Sequence, residues 1–310
     1  MSEGINPKKE DLGIKINTLE VDYEIEKKKV YTQKNSDSEY TFRTGNQADN
    51  KSKYLVSIYH KDFSFKGYLS NTLTKEKIGL FNYGNSEDAD CYCGNWENDE
   101  KNGEGLYFYP ITNDIYIGNW IHNKKEGTGL YFSNANNTIT NFLGTFNNDT
   151  FKEGLIVSYK VDNKLIIIPQ FVYKGKVDEN GIKNDDNAIF IENNIIFKGK
   201  VANDEKIEGV VMVFEEGKVK YSFKMNKVEG SGEDYTFSIN EDKEMEQELI
   251  ETKKRWDESN LIDKMEKYCQ MIMENLAEAN GPFDNFQNAI KDDSLQHKIS
   301  QFNELVNNKI

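Results

Sequence analysis

The sequence predicts a mainly β chain with an α C-terminus: an elongated antiparallel sheet of consecutive β-hairpins, followed by a helical hairpin. Three observations carry this. Between Tyr92 and Phe132 one pattern is written twice. Tyr92-Cys93-Gly94-Asn95-Trp96 is followed by Gly103-Glu104-Gly105-Leu106-Tyr107-Phe108, then Tyr116-Ile117-Gly118-Asn119-Trp120 by Gly127-Thr128-Gly129-Leu130-Tyr131-Phe132, at a constant offset of 24 residues. A fixed period of this size marks a repeat architecture. Within each copy the Tyr, Gly and Trp positions alternate with a period of two, and beyond Asn240 the apolar period changes to about 3.6.

Side chains alternate along a strand, so Tyr92, Gly94 and Trp96 share one face, and Gly103, Gly105 and Tyr107 fall into the same alternation on the next segment. The run from Glu97 to Asn102 between them is polar and rich in Asn and Asp, which marks a turn. Each copy is therefore one hairpin. Glycine inside a strand is costly and signals close approach of another group; the recurring aromatics supply that group. The spacing predicts rings that lie across a neighbour's bare glycine backbone and stack into a continuous stripe, which no single hairpin could bury alone. Tyr92, Trp96, Tyr107, Tyr116, Trp120, Tyr131 and Phe146 form this stripe and are the candidate partner-binding residues.

Tyr-x-Gly-x-Trp, a short turn, then Gly-x-Gly-x-Tyr resembles the MORN repeat. Weaker copies follow in register: Phe65-x-Gly67-x-Leu69 with Gly79, Phe142-x-Gly144-x-Phe146 with Gly154, Tyr173-x-Gly175-x-Val177, Phe197-x-Gly199-x-Val201 with Gly209, and Val219-x-Tyr221-x-Phe223 with Gly230 and Gly232. The resemblance thus covers residues 65 to 237. It implies a stand-alone, non-catalytic scaffold of protist type, because MORN proteins look to serve as scaffolds in radial spoke heads of cilia, in cortical and basal-complex structures of protists, and at membrane junctions. The alternative it implies is a phosphoinositide- or membrane-associated adaptor.

Taken in order, residues 1–53 read as a polar N-terminal arm with a short strand or hairpin, Leu19-x-Val21-x-Tyr23-x-Ile25, ending at Lys27-Lys28-Lys29. The repeat sheet is expected over 54–238, beginning at Tyr54-Leu55-Val56-Ser57-Ile58-Tyr59. Residues 239–310 are expected to be amphipathic helices. The first carries Met245, Leu249, Trp256, Met265, Cys269 and Ile272, with a break near Ser259-Asn260, and Gly281-Pro282 stops it. The second carries Leu295, Ile299 and Phe302. Trp256, Met265, Ile272, Leu295, Ile299 and Phe302 are the candidate helix interface, and whether it packs on the sheet or on another chain is left open by the sequence.

Composition narrows the function. The chain has 310 residues and a formal net charge of −14. That excludes the basic footprint of a nucleic-acid binder and opposes an anionic membrane surface. Three cysteines and a polar start without an apolar leader lead to the expectation of a reducing, cytoplasmic setting. No run approaches the ~18 apolar residues of a membrane span. His60, His122 and His297 lie in separate segments. Cys91 and Cys93 flank Tyr92, point away from the stripe, and are two ligands short of a zinc site. Asp178-Glu179-Asn180-Gly181 reads as a hairpin turn rather than a calcium loop. The expectation is a protein that is not an enzyme, without cofactor, metal or catalytic residues. Its partners are other proteins of a large assembly, with a homodimer left open, and its place is the cytoskeleton of an axoneme or cell cortex.

Overall fold

A computed structural model describes residues 21–25, 28–34, 38–44, 54–70, 74–135, 138–161, 167–228 and 234–265, together with Lys267, Gln270 and Glu274. The chain divides into two compact units, with the boundary after Lys125. The first holds β1 (Val21–Ile25), β2 (Lys28–Lys34), β3 (Ser38–Thr44), β4 (Tyr54–His60), β5 (Phe63–Leu69), β6 (Lys75–Asn82), β7 (Cys91–Glu97), β8 (Glu100–Tyr109) and β9 (Asp114–Ile121). Each is antiparallel to the next in sequence. The second holds most of β10 (Lys124–Ala135), then β11 (Thr138–Asn147), β12 (Thr150–Val161), β13 (Ile167–Lys176), β14 (Asp185–Glu192), β15 (Ile195–Ala202), β16 (Glu205–Glu215), β17 (Lys218–Lys227) and β18 (Tyr235–Ile239). These too form an unbroken antiparallel meander, and α1 (Lys243–Ser259) follows.

The sheet starts earlier than the sequence pattern suggested. β1 falls where a strand was expected, but β2 and β3 occupy much of the presumed polar arm. Their apolar positions, Val30, Tyr40 and Phe42, are embedded among Lys, Ser and Glu, which hides the alternation. Residues 1–20 of that arm, the glycines at 230 and 232, and the helix expected from residue 293 lie outside the described residues.

The same kind of register appears in each unit. In the first, Val56 pairs with Gly67, Gly67 with Gly79, Gly79 with Gly94, Gly94 with Gly105 and Gly105 with Gly118. In the second, Gly129, Gly144, Gly154 and Gly175 form a row, and Ala188, Gly199, Gly209 and Met225 form another. Met225 therefore stands at the glycine position of β17 and Phe223 at the ring position. The reading that placed Val219, Tyr221 and Phe223 on the motif is four residues out of register, because a methionine there conceals the motif.

The row is bare because rings occupy the space where side chains would be. A methyl group added at Gly105 would lie 2.5 Å from Cε2 and 2.6 Å from Cζ of Tyr92, and one at Gly79 would lie 2.6 Å from Cε2 of Phe65. The same ring thus covers the glycine two residues along its own strand and the glycine paired with it on the next strand. Phe197 covers Gly209 on the next strand, and Tyr173 covers Gly175 on its own.

Five of the described hairpin turns are two residues long with both residues at positive φ: Asn98-Asp99 (51° and 69°), His122-Asn123 (48° and 68°), Asn148-Asp149 (50° and 70°), Asn203-Asp204 (51° and 65°) and Glu216-Gly217 (53° and 75°). This is the type I′ geometry whose twist matches that of the strands, and Asn and Asp tolerate it best after glycine. The turn at Asp178 differs. There the Oδ1 of Asp178 accepts from the N–H of Asn180 at 2.8 Å and of Ile182 at 2.9 Å, as expected of a hairpin loop.

On the opposite face of the second unit lies α1, capped by Asp242, whose carboxylate accepts from Met245 N–H at 2.9 Å. Leu249 is its buried anchor, and Glu248 takes both its oxygens to Lys198 Nζ on β15 at 2.6 Å. The helix ends at Asn260 in the left-handed region (φ 47°), where the sequence signalled a break, and helical backbone resumes at Leu261.

If ring over glycine is what fixes the register, Gly105→Ala should cost about 1–3 kcal/mol, the usual range for overpacking. In a Tyr92→Ala background the added methyl has room, so the cost should shrink and the double-mutant cycle should show coupling of about 0.5–3 kcal/mol. Urea unfolding followed by circular dichroism measures both. Additive effects would contradict the seat.

Candidate interaction surface

The glycine face is assembled from aromatic rings that close over one another. Tyr92 and Tyr116 are fully buried, and each Oη donates to the backbone carbonyl three residues on, Asn95 at 2.9 Å and Asn119 at 3.0 Å. Tyr173 repeats this with Lys176 at 2.6 Å. The phenolic oxygen is thereby satisfied inside the strand turn, which lets the ring lie flat on the glycines. Trp96 stands edge-on to Tyr92 with centroids 5.0 Å apart, and Trp120 edge-on to Tyr116 at 5.2 Å. Their indole N–H groups reach back across the sheet to glycine carbonyls, Trp96 Nε1 to Gly79 O at 3.2 Å and Trp120 Nε1 to Gly105 O at 3.4 Å.

Of the predicted stripe, Tyr92, Trp96, Tyr107, Tyr116, Trp120 and Phe146 are buried, between 0 and 7% exposed, and Tyr131 is half-buried. The structure brings these rings together on one face within each unit, as the spacing required. It also fills that face with the chain's own groups, so the flat sides of the rings are occupied.

In five hairpins a lysine at or just before the start of the second strand is one of those groups, and the sequence reading passed over it; in the β11–β12 hairpin Phe151 takes that place. Lys101 Nζ sits 4.4 Å from the Trp120 ring centroid, 4.6 Å from Tyr107, 5.6 Å from Tyr92 and 5.9 Å from Tyr83. Lys75 Nζ lies 5.1 Å from Trp96 and 5.6 Å from Phe81. Lys125 lies over Tyr116 and Tyr109, Lys183 over Phe171 and Tyr173, and Lys206 over Phe190 and Phe197. Each ammonium faces the electron-rich side of its rings, a contact worth about 0.5–2 kcal/mol. The signal was present: Lys101-x-Gly103 and Lys125-x-Gly127 share the 24-residue offset.

The turn of the following hairpin clasps this lysine. Asp99 Oδ1 accepts from Lys75 N–H at 2.8 Å and from Lys75 Nζ at 2.9 Å, and Asp99 N–H donates to Lys75 O at 3.2 Å. Asn123 does the same for the backbone of Lys101, and Asp204 for both backbone and ammonium of Lys183. Burial lowers the pKa of Lys75, and Asp99 opposes that shift. At Asp204 burial acts upward, but the hydrogen bonds from Lys183 outweigh it and hold the carboxyl below its ordinary range.

Cys91 and Cys93 point to the other face, as the alternation required, and both are buried thiols there. Burial pushes each up to about 12. Of the predicted helix interface, Met265 is fully buried with its Sδ 3.9 Å from Asn141 Nδ2 on β11, and half-buried Trp256 lines a cavity of 130 Å³ beneath α1 with Leu155, Val172, Ile189, Ile191 and Leu261. These two residues thus face the chain's own sheet. Ile272, Leu295, Ile299 and Phe302 lie outside the described residues. Among the described residues no group of three or more His, Cys, Asp or Glu is placed to hold a metal ion. No described helix is long and apolar enough to cross a membrane.

Residues 92–112 and 116–137 match the family described as the MORN repeat. No curated protein matches the chain. The geometry of the matched copies recurs outside them, at Gly67 with Gly79, Gly144 with Gly154 and Gly199 with Gly209.

Burial of thiols and phenols gives a signed pH dependence. Unfolded, Cys91 and Cys93 lose their protons near pH 9.0; folded, they hold them to about 12. Above pH 9 the folded state binds more protons, so stability falls as pH rises. Tyr83, Tyr92 and Tyr107, also raised by burial, add to the loss above their ordinary value of 10.0. Lys75 acts in the opposite sense between its lowered folded value and 10.5, and is outnumbered. The urea midpoint should decline from about pH 9, and in a Cys91→Ala/Cys93→Ala variant the decline should begin about one unit later. A wild-type midpoint that stays level to pH 10 would contradict the buried thiols.

Proposed function

The chain is a MORN-repeat protein, and we propose from this that it is a non-catalytic adaptor that holds protein partners together in a larger assembly. The observation that carries the reading is that, among the described residues, the strongly shifted titratable groups are accounted for by repeat packing. The shifts of Lys75, Tyr83, Cys91, Tyr92, Cys93, Tyr107 and Tyr173 are each led by burial within the hairpins. Groups locked in this way stabilise a scaffold and are poorly suited to proton transfer near neutral pH. The partners are proteins, engaged through the sheet and the C-terminal helices. Net charge of −14, with the stripe lysines turned onto rings or paired with carboxylates, disfavours nucleic acid and anionic membrane.

The finer reading we propose is a place in an axoneme of radial-spoke kind or in a cortical cytoskeleton, in a cytoplasmic setting. It rests on the uses that resemblance to MORN scaffolds implies.

The test is affinity purification of the tagged full chain from ciliated cells at physiological salt, with fluorescence localisation in parallel. Stable protein partners and an axonemal or cortical pattern are expected. Purification without partners, combined with flotation on phosphoinositide-containing liposomes, would replace this reading with the membrane-adaptor alternative. Trp120→Ala is a poor probe of docking, since removing a buried indole should cost about 3–5 kcal/mol of stability by itself.

A further inference from the structure

The last strand of the second unit differs from the strands before it. β18 pairs with β17 through a ladder without register shift, and among the described residues of the unit β17 is the strand beside it. The hydrogen bonds at its two ends fix its orientation. Val228 N–H donates to Asp234 O at 2.9 Å, and Asn240 N–H donates to Ser222 O at 3.3 Å. In an antiparallel ladder alternate residues turn their backbone groups to the same side. Residues 234, 236, 238 and 240 therefore face β17, and the N–H and C=O groups of Tyr235, Phe237 and Ile239 face outward.

The side chains of the same three residues lie on the glycine face, where the stripe ends. Phe237 is 59% exposed and Ile239 79% exposed, against 7% or less for the buried rings of the stripe. Phe223 and Tyr235 flank Phe237 at centroid distances of 6.3 and 6.5 Å. Sheet edges are ordinarily protected by lysine, proline or a bulge. β18 reads Tyr-Thr-Phe-Ser-Ile and has none of these.

Resting on the adaptor reading, we propose that β18 is a strand-addition site for an extended segment of a partner protein. The segment alternates apolar and polar residues and carries lysine or arginine at its ends. Its apolar residues meet Tyr235, Phe237 and Ile239, its backbone bonds their outward groups, and its basic ends meet Asp234 at one end of β18 and Glu241 with Glu244 at the other. Affinity comes from the main chain and specificity from alternate side chains and end charges. Lys224 stands on the opposite face of the neighbouring strand and does not flank the incoming chain. A second copy of β18 suits the edge less well, since antiparallel self-pairing brings the acidic ends of two chains of net charge −14 against each other.

The probe is a short fluorescein-labelled peptide of alternating valine and threonine, closed by two lysines at each end, titrated into the full chain by anisotropy. We expect saturable binding, lost with glutamates in place of the lysines. Phe237→Ala removes the ring and Phe237→Pro also removes an outward N–H, and neither touches the ladder to β17, which circular dichroism checks. Binding to the proline variant should be about tenfold weaker than to the alanine variant, the size of one net hydrogen bond. No binding to the wild type, equal binding by the two variants, or equal binding of the glutamate-ended peptide overturns the site. A wild-type dimer in sedimentation that Phe237→Pro dissociates also overturns it, by giving the edge to a second copy. The two readings fail separately: partners recovered from cells without peptide binding removes the edge alone, and peptide binding without partners removes the adaptor alone.

Discussion

An aromatic ring laid flat on two facing glycines is the contact on which the remaining structure depends. The ring of Tyr92 needs Gly94 below it and Gly105 beside it, so the register between β7 and β8 admits no slip. A slip of one residue would bring a side chain under the ring and turn every apolar position to the other face. Once the ring is down, Trp96 has a wall to stand against and a glycine carbonyl within reach of its N–H. Each such aromatic buries about 150–250 Å², a gross gain of about 4–6 kcal/mol at about 25 cal/mol per Å². The cost of glycine in a strand, about 0.5–1 kcal/mol, is small beside it.

The weaker copies show which part of this arrangement is indispensable. Leu69, Val177 and Val201 stand where Trp96 and Trp120 do, and all three are still buried. Phe65 and Phe197 stand where Tyr92 does and still cover glycine without a hydroxyl to bond. The glycine of the first strand is retained in all three copies, with Ala188 the one methyl on a second strand, whereas the indole is lost from all three and the phenolic oxygen from two. At β17 even the glycine becomes Met225, and β17 and β18 beyond it carry Tyr221, Phe237 and Ile239 in the open. Exposure of the stripe thus begins where the seat is lost.

This explains what could be read from the chain directly. The hairpins, their 24-residue register and the break at Asn260 were legible because each is written in residues with strong local meaning: Gly and Trp at fixed offsets, Asn and Asp at turns, Ser-Asn at a helix end. β2 and β3 were not, since the pairing of Val30 with Arg43 and Phe42 with Val56 is a tertiary fact that lysine-rich and serine-rich strands do not announce. The stripe was legible as a face, but its closure was not. Lysine is ordinarily read as solvated, and nothing local states that Lys101 folds its ammonium onto Trp120 and Tyr107. Likewise Asp99 reads as a turn former, and its second task requires knowing that Lys75 lies beside it.

That second task bears on how successive hairpins are held in step. In a two-residue I′ turn the second residue sits at positive φ, and here it presents its side chain and N–H to the lysine of the preceding hairpin. At Asp99, Asn123 and Asp204 both groups are used, the side chain taking the lysine N–H and the backbone returning a bond to the lysine carbonyl. Adding a residue to one hairpin would move its turn about 3.3 Å along the strand and break both bonds together. Where the turn is longer, after Val177, the clasp is reduced to one backbone bond, Val177 N–H to Lys152 O. Ring on glycine sets the register across each pair of strands, and turn on lysine sets the step from one hairpin to the next. A chain under both constraints can change its surface residues freely while its strand edges and turns stay where they are. That suits the adaptor role proposed above.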